Sequence, residues 1–335
     1  MFRRSFLITG AGALAALAQQ KAADKKPDDA HVAGATQDPT PRVGIVLSSF
    51  KQGEEHDGTK IPGLTDPQAP GADLTPAQLD AMVRKAIDLA ALRHSEFWET
   101  VEPEDWIVVK TGSRTDSRIV GGAISYLAER KRGLRFTVID RLPQGGEWAQ
   151  EYPKLVSGLG TKFSGARFEL VDLNTAPTSD LPVPDRPGVT YGIPKIVQQC
   201  DRLISIAPLA TDPALGVSLS VGNYANISTK PVTTKEALID LFSYRPADLA
   251  LVGGSWGVEG DGAPVHHNVL ISGMKAVAVD SVAASVMGFK PADLPYLALG
   301  QNRGFGSWDP DEIWTRGNEI EEARREFKKP AGWRR

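Results

Sequence analysis

Short, continuous runs of apolar residues alternate with helical segments along most of this 335-residue chain. Residues 106–110 (WIVVK), 202–208 (RLISIAP) and 248–254 (DLALVGG) show no polar alternation, which is typical of strands covered on both faces. Between such runs, apolar residues recur at helical spacing, as they do from Leu79 to Ala90. This order predicts an α/β fold with a largely parallel β-sheet and helices on both faces.

Capping patterns mark two of the predicted helix starts. Thr75 is followed by a proline and then by Gln78, which is the capping-box arrangement. A second helix is predicted to start at Thr115-Asp116-Ser117, whose side chains are typical of helix caps, and to run through Leu127. Near the other end of the chain, residues 274–279 (MKAVAV) are predicted as a strand, and Asp280 as the cap of the helix that follows.

The composition is that of a soluble globular protein, with 41% hydrophobic and 24% charged residues. A net charge of −3 provides no general attraction for nucleic acid, and no nucleic-acid partner is predicted. The single cysteine, Cys200, excludes an internal disulfide and an iron–sulfur cluster held by this chain alone. Composition leaves the oligomeric state open.

The N-terminus has the pattern of an export signal. Arg3 and Arg4 precede an apolar stretch that ends in a small-x-small cleavage pattern. The arginine pair before Ser-Phe-Leu is typical of twin-arginine signals. We therefore expect an exported protein of the bacterial periplasm or cell envelope, without an integral membrane span after cleavage. The predicted divisions are a signal peptide over residues 1–18, a flexible tether over 19–41 and a folded domain over 42–330.

Ligands of open α/β sheets bind beyond the carboxyl ends of the strands. Lys110 stands at such an end, and the small hydroxyl residues, glycine and arginine after it favour a small-molecule or anionic ligand. Lys110 is therefore a candidate catalytic residue. A long polar connection over residues 208–227 is a second candidate region. The candidate ligand-binding residues are Thr115, Asp116, Asn223 and Asp280.

The stretch GDGAPVHHNV (residues 260–269) holds the densest set of reactive side chains. Asp261 and His266 are candidate catalytic residues, and with His267 they are candidate ligands of a divalent metal. Adjacent histidines point in different directions on most backbones, and no His-x-x-x-His spacing is present. A hydrogen-bonded loop without metal is the alternative. We expect this stretch to form the loop after a parallel strand.

Residues 253–257 (GGSWG) match the Gly-x-Ser-x-Gly pattern of serine hydrolases. The nucleophile elbow of those enzymes needs a helix directly after the serine, and the glycine-rich sequence after Ser255 does not form one. The order of acid and histidine along the chain also differs from the hydrolase pattern. Both departures argue against a serine hydrolase.

Several segments resemble the DUF362 family, a domain of unknown function. They are EGDGAP, VLISGMKAVAVDSVAASVMGF, YLALGQNRGFG and IWTRGNEI, together with the VVK strand and its Thr-Asp helix start. The resemblance covers roughly residues 42–330. It implies the fold and a site at the strand ends, but no reaction. Where the family has Lys-Pro-Asn, this chain has Lys110 followed by Thr-Gly, and other cations of the family pattern are absent.

Two main hypotheses of function follow. The first is an exported enzyme, or a protein that handles a cofactor or metal, with its site at the strand ends. The second is a non-catalytic ligand-binding protein of the cell envelope, which the missing cations favour. The sequence does not identify the cofactor, the substrate or the reaction.

Overall fold

A computed structural model describes residues 40–333, except for residues 56, 92–96, 98–99, 113, 142–146, 184–185, 231 and 233. The predicted signal peptide and nearly all of the predicted tether lie outside the described residues. From Thr40 onward the chain groups into one unit.

Strands and helices alternate along the described chain. The strands are β1 (Arg42–Leu47), β2 (Gly53–Glu54), β3 (Lys60–Ile61), β4 (Trp106–Thr111), β5 (Arg135–Asp140), β6 (Arg167–Asp172), β7 (Thr178–Pro182), β8 (Thr190–Pro194), β9 (Arg202–Ala207), β10 (Ala210–Asp212), β11 (Gly216–Ser218), β12 (Leu249–Glu259), β13 (Ala263–Gly273) and β14 (Trp314–Gly317). The α-helices are α1 (Pro76–Ala90), α2 (Ser117–Ala128), α3 (Glu147–Lys162), α4 (Lys195–Gln199), α5 (Lys235–Tyr244), α6 (Ala276–Val286), α7 (Pro295–Asn302) and α8 (Ile320–Ala323). Short 3₁₀ helices span Gly222–Asn226, Pro291–Asp293 and Pro310–Glu312.

A large central sheet organises the fold, with the strand order β14-β1-β13-β12-β9-β4-β5-β6. Of these eight strands, β13 runs antiparallel to both of its neighbours, and the other seven share one direction. The short strands β10 and β11 are attached beside β12. The predicted largely parallel sheet is confirmed.

Helices cover both faces of this sheet. One apolar cluster joins the sheet to α1, α2 and α3, and a second joins it to α5, α6, α7 and α8. Side chains of β4 alternate between the two clusters, since Ile107 and Val109 belong to the first and Val108 to the second. Burial on both faces explains why these strands have continuous apolar sequences.

The two predicted helix starts are confirmed. Thr75 accepts a hydrogen bond from the Gln78 backbone N–H (3.3 Å), and the Gln78 side chain accepts one from the Thr75 N–H (2.9 Å). At the start of α2, Asp116 accepts from the Arg118 backbone N–H at 2.9 Å. Both caps are local arrangements, which is why the sequence alone identifies them.

The predicted strand over residues 274–279 is wrong. The chain leaves β13 at Gly273 and enters α6 at Ala276, so Asp280 lies inside a helix instead of capping it. Nearly every side chain of α6 is buried, from Ala276 to Val286. A helix that is apolar on all sides lacks the amphipathic period that would distinguish it from a buried strand.

The stretch over residues 260–269 is also not the predicted loop. Gly260, Asp261 and Gly262 form a tight turn between β12 and β13, and the residues from Ala263 onward are in a strand. Both glycines have positive φ (54° and 107°), which suits their position in the turn. Among the helices of the described residues, none is both long and apolar enough to cross a membrane.

Candidate functional site

The strand order reverses between β4 and β9. On one side of β4 the next strands in the sheet are β5 and then β6. On the other side they are β9 and then β12, which come later in the chain. The helix after β4 packs on one face of the sheet and the helix after β9 on the other. Such a switch point opens a crevice at the carboxyl ends of the two strands, where ligands of open α/β sheets bind.

Lys110 lies at this switch point with its side chain wholly buried. Its Nζ donates hydrogen bonds to Asp140 Oδ1 at 3.0 Å, to Asn223 Oδ1 at 3.1 Å and to the carbonyl oxygen of Thr111. An ammonium group has three N–H donors, and each has an oxygen acceptor here. Asp140 comes from the carboxyl end of β5, the next strand of the sheet.

Burial lowers the pKa of Lys110 below its ordinary value of 10.5, while the Asp140 carboxylate opposes this shift. The Asp140 carboxylate therefore stabilises the charged form of the buried Lys110. Asp140 is further fixed by Thr111 Oγ1 at 3.1 Å and by the backbone N–H of Arg141 at 2.8 Å. These hydrogen bonds fix the position of the Asp140 carboxylate beside Lys110.

Asn223 connects the two strands of the switch point. It belongs to the 3₁₀ helix Gly222–Asn226, within the connection from β9 to α5. Its Nδ2 donates to the carbonyl oxygen of Lys110 (3.1 Å), to Ser205 Oγ (3.1 Å) and to the carbonyl oxygen of Ile206 (3.3 Å). Because these acceptors fix the amide, its Oδ1 faces the lysine ammonium. The predicted ligand-binding residue thus occupies the crevice itself.

Thr115 closes the same crevice from the loop after β4. Its buried hydroxyl accepts from the Gly112 N–H at 2.9 Å and donates to the carbonyl oxygen of Ile206 at 3.3 Å. A Cβ added at Gly112 would lie only 3.2–3.3 Å from Pro208, Asn223 and Thr115. Three segments therefore meet closely at Gly112, and a larger residue would crowd them.

Asp280 lies away from the lysine and anchors the segment that carries Asn223. It accepts from the backbone N–H groups of Ser220 (2.8 Å) and Val221 (3.0 Å), and from Tyr296 Oη (3.1 Å). Burial raises the pKa of Asp280 to about 6, and these hydrogen bonds oppose the rise. Asp280 is therefore placed to position Asn223.

A continuous buried hydrogen-bond network results. Ser205 Oγ donates to the carbonyl oxygen of Ser220 at 2.9 Å and accepts from Asn223, which links the Asp280 anchor to the lysine. The network also includes Thr111, Asp140, Ser205 and Ser220, which are not among the candidate site residues of the sequence analysis. Asp140 stands at a strand end just as Lys110 does, and the same strand-end argument applies to both residues.

Asp116, which is also a predicted ligand-binding residue, lies at the start of α2. It caps α2, and its carboxylate pairs with the Arg118 guanidinium at 2.7 Å. No hydrogen bond in the described structure joins Asp116 to the lysine cluster.

The three candidate residues of the hairpin contact different partners. Asp261 is exposed in the turn, and the His266 ring stacks on Trp256, with centroids 4.3 Å apart and planes at 16°. His267 is buried and its Nε2 donates to the carbonyl oxygen of Ala323 at 2.7 Å. Burial lowers the pKa of His267 to about 4, so the ring is neutral near pH 7.

Within the described residues, no three His, Cys, Asp or Glu side chains are placed to hold a metal ion together. Asp261, His266 and His267 therefore do not form a common ligand set in this structure. The hairpin does contact the loop after β4, because Arg114 Nη1 donates to the carbonyl oxygen of Gly262 at 3.1 Å.

Ser255 lies in β12, where the pairing with β13 shifts by one residue. Gly254 pairs with Val269 and Trp256 pairs with His266, so Ser255 opposes two residues of β13 in a β-bulge. The chain continues as a strand and not as a helix, and the serine is 3% exposed. The geometry of a nucleophile elbow is absent at Ser255.

A family model described as "Domain of unknown function (DUF362)" matches residues 107–285, slightly more than half of the chain. No curated protein matches the chain. Among solved structures, the lactate racemase apoprotein from Thermoanaerobacterium thermosaccharolyticum is similar, with a TM-score of 0.40 and 12% identity. The similarity covers 70% of this chain and 61% of that one, so this chain spans about three fifths of that protein.

Proposed function

Because this chain belongs to the DUF362 family and its lysine cluster lies inside the matched segment, we propose that it binds a small anionic molecule at the carboxyl ends of β4 and β9. One observation carries the proposal: a wholly buried lysine ammonium lies at the topological switch point of the sheet. Burying an amino group is costly, and ligand binding is a reason to retain one there.

The route to Lys110 passes through Asn223. Two of the three acceptors of Lys110 Nζ, Thr111 and Asp140, belong to the sheet and are held by its pairing. Asn223 belongs to a short 3₁₀ helix in the connection from β9 to α5. Such a connection rearranges at a lower free-energy cost than the paired strands do. A ligand oxygen would replace Asn223 Oδ1, and a carboxylate or phosphate oxygen would form the stronger, charge-assisted bond.

Two further cations favour an anion at this edge. Arg141 follows Asp140 directly, and its guanidinium donates to the carbonyl oxygens of Asn226 (2.8 Å) and Ser228 (2.7 Å) at the end of the same segment. Arg114 is exposed in the loop after β4. Since Asp140 already balances the charge of Lys110, these two arginines supply the remaining positive charge.

A second candidate function is catalysis by Lys110. The observation that favours it is the complete burial of the Lys110 side chain at the switch point. Burial lowers the pKa of Lys110, and a lysine that loses its proton more easily acts as a base or as an amine nucleophile. Displacement of Asn223 would free one N–H donor and expose Nζ to the ligand. Asp140 would then control the protonation of Nζ.

Export belongs to the same proposal. The twin-arginine pattern and the small-x-small site support transport of a folded protein to the periplasm or cell envelope. The test is a fusion of residues 1–41 to a reporter that is active only after folded export. Replacement of both Arg3 and Arg4 by lysine should abolish export; undiminished export would contradict the twin-arginine assignment.

Thermal shift with inorganic phosphate, pyrophosphate and citrate tests anion binding. We expect at least one of them to raise the melting temperature of the wild type. The double variant Lys110→Met/Asp140→Asn, which removes both charges together, should lose this response. Lys154→Met, at an exposed lysine of α3, is the matched control and should keep it. An equal response of the double variant and the wild type would refute the proposal.

Reductive methylation followed by mass spectrometry tests the role of Asn223. In the wild type, Lys110 should react far more slowly than the exposed Lys154, because its Nζ is enclosed. Asn223→Ala should accelerate the labelling of Lys110 and leave Lys154 unchanged. Equal protection of Lys110 in both proteins would show that Asn223 does not close the site.

A further inference from the structure

The loop over residues 62–75 and the first turns of α1 border a cavity of about 170 Å³ that opens to solvent. Ser48, Leu74 and Met82 line this cavity with buried side chains, whereas Asp66 lines it from an exposed position. A cavity of about 150 Å³ holds a benzene molecule, so this one holds a ligand of about six non-hydrogen atoms. Its lining shares no residue with the lysine cluster described above.

The cavity lies at the carboxyl end of β1, because Ser48 directly follows that strand. β1 shares its direction with β4 and β9, so this end lies at the edge of the sheet where ligands of α/β folds bind. The loop is held there by the Gln68 N–H, which donates to the Ser48 carbonyl oxygen at 2.7 Å. Asn268 Nδ2 donates to the carbonyl oxygens of Pro70 (2.9 Å) and Ala72 (2.6 Å). These bonds fix the loop, so the cavity is formed before a ligand binds.

The Asp66 carboxylate is held in position by two side-chain amides that also line the cavity. Gln68 Nε2 donates to Asp66 Oδ1 at 2.8 Å, and Gln78 Nε2 donates to Asp66 Oδ2 at 2.6 Å. Gln78 is fixed in turn, because its Oε1 accepts from the Thr75 N–H in the capping box of α1. The helix cap therefore holds an oriented carboxylate beside the cavity.

This carboxylate gives the cavity a negative charge. Among the described residues that line the cavity, Asp66 is the charged one. Its two amide donors are neutral, and a carboxylate has about four acceptor positions, so the charge and about two of these positions remain for a ligand. The N-terminus of α1 adds only about half a positive charge, and the N–H groups of Gln78 and Leu79 already bond to Thr75. The cavity therefore favours a cation.

Apolar side chains form another part of the lining, namely Leu64, Leu74, Ala77, Ala81 and Met82. Each CH₂ group that such a surface buries strengthens binding by roughly four-fold. We infer that the cavity binds a small primary amine, whose ammonium group bonds to Asp66 and whose short apolar chain contacts these side chains. This site goes beyond the anion site proposed above and does not depend on it.

Ligand-observed NMR titration with n-pentylamine, 1-pentanol and pentanoate at pH 7 tests the inference. The three probes share a five-carbon chain and differ in the charge of the head group. We expect pentylamine to bind the wild type at least about three-fold more tightly than pentanol, which is the scale of a solvent-accessible ion pair. Pentanoate should bind most weakly, because its charge has the same sign as that of Asp66.

Three variants locate the binding site. Asp66→Asn keeps the size of the side chain without its charge and should bind the amine and the alcohol equally tightly. Ala81→Leu should weaken all three probes by roughly ten-fold or more, because the larger side chain fills the cavity. Asp73→Asn removes an exposed carboxylate of the same loop that does not line the cavity, so this matched control should keep the wild-type preference.

Failure of every probe to bind the wild type, or equal affinity for the amine and the alcohol, would overturn the inference. A preference for the amine that survives in Asp66→Asn, or binding that is undiminished in Ala81→Leu, would overturn it as well. The double variant Lys110→Met/Asp140→Asn should bind pentylamine as the wild type does. The amine site and the anion site can therefore fail separately.

Discussion

The coupling between Lys110 and Asp140 can be measured by removing the charges singly and together. Lys110→Met leaves the Asp140 carboxylate buried without its cation, and Asp140→Asn leaves the buried ammonium without its carboxylate. Asparagine at position 140 keeps the size of the side chain and an acceptor for the Arg141 backbone N–H. The double variant removes both charges and leaves neither uncompensated.

The structure sets the size of each effect. The side chain of Lys110 is 0% exposed and that of Asp140 is 7% exposed, so solvent screens neither charge well. Breaking a buried ion pair by removing one partner costs about 3–5 kcal/mol, whereas replacing both charges costs much less. We therefore expect each single variant to lose about 3 kcal/mol or more. The double variant should lose at least about 2 kcal/mol less than the sum of the two.

Urea denaturation at pH 7, followed by circular dichroism, gives the free energy of unfolding of the four proteins. Lys154→Met is the control for loss of an exposed lysine and should change stability by no more than about 0.5 kcal/mol. Costs of the single variants that add up to the cost of the double variant, within about 0.5 kcal/mol, would refute a coupled pair. The lysine would then be held by Asn223 and Thr111 alone.

Other predictions concern pH and backbone strain. Because the pKa of His267 is lowered from 6.5 to about 4, its contribution to stability should fall by about 3 kcal/mol as pH falls from 6.5 to 4. His267→Gln should lack this loss, so the difference between its melting curves and those of the wild type should change by that amount across the range. Asp280 acts in the opposite direction: its pKa of about 6 lies above 3.8, so its contribution should gain about 3 kcal/mol as pH falls from 6 to 3.8, and Asp280→Asn should abolish the gain. A variant whose pH profile parallels the wild type would contradict the shift assigned to that residue. Gly253→Ala should lower the free energy of unfolding by at least about 2 kcal/mol, since φ at this position is 114° and the new Cβ would lie 2.2 Å from a carbonyl oxygen. Gly158 in α3 is exposed and has free space where a Cβ would lie, so Gly158→Ala should be neutral or stabilising. Chemical denaturation of both variants measures the difference.

Local patterns predicted much of the fold. The caps at Thr75 and Asp116 depend on neighbours within three residues, and both form as predicted. The prediction of a strand over residues 274–279 was wrong because α6 is buried on all sides. Its sequence therefore lacks the helical repeat of apolar and polar residues that an exposed helix shows. The hairpin of β12 and β13 was missed although its turn contains Asp261-Gly262, a dipeptide that is typical of hairpins.

The candidate site was predictable in part, for a physical reason. Strand-end position placed Lys110 in the crevice, and the polar composition of a long connection suggested Asn223. Contacts such as Lys110 with Asp140, or Asp280 with Ser220, join residues far apart in the chain, and only the strand order brings them together. His266 and His267 form a conspicuous pair in sequence, yet the strand gives each ring a different partner.

The position of β1 has a consequence for the order of folding. In the described structure this first strand pairs with β13 and β14, so Val43 finds its partners at Gly273 and Thr315, near the far end of the chain. A ribosome makes the partners of β1 last, and contacts between such distant residues form slowly. During synthesis the apolar β1 segment therefore stays unpaired until β13 and β14 have been made. Deletion of the C-terminal region would leave this strand as an exposed edge and favour aggregation.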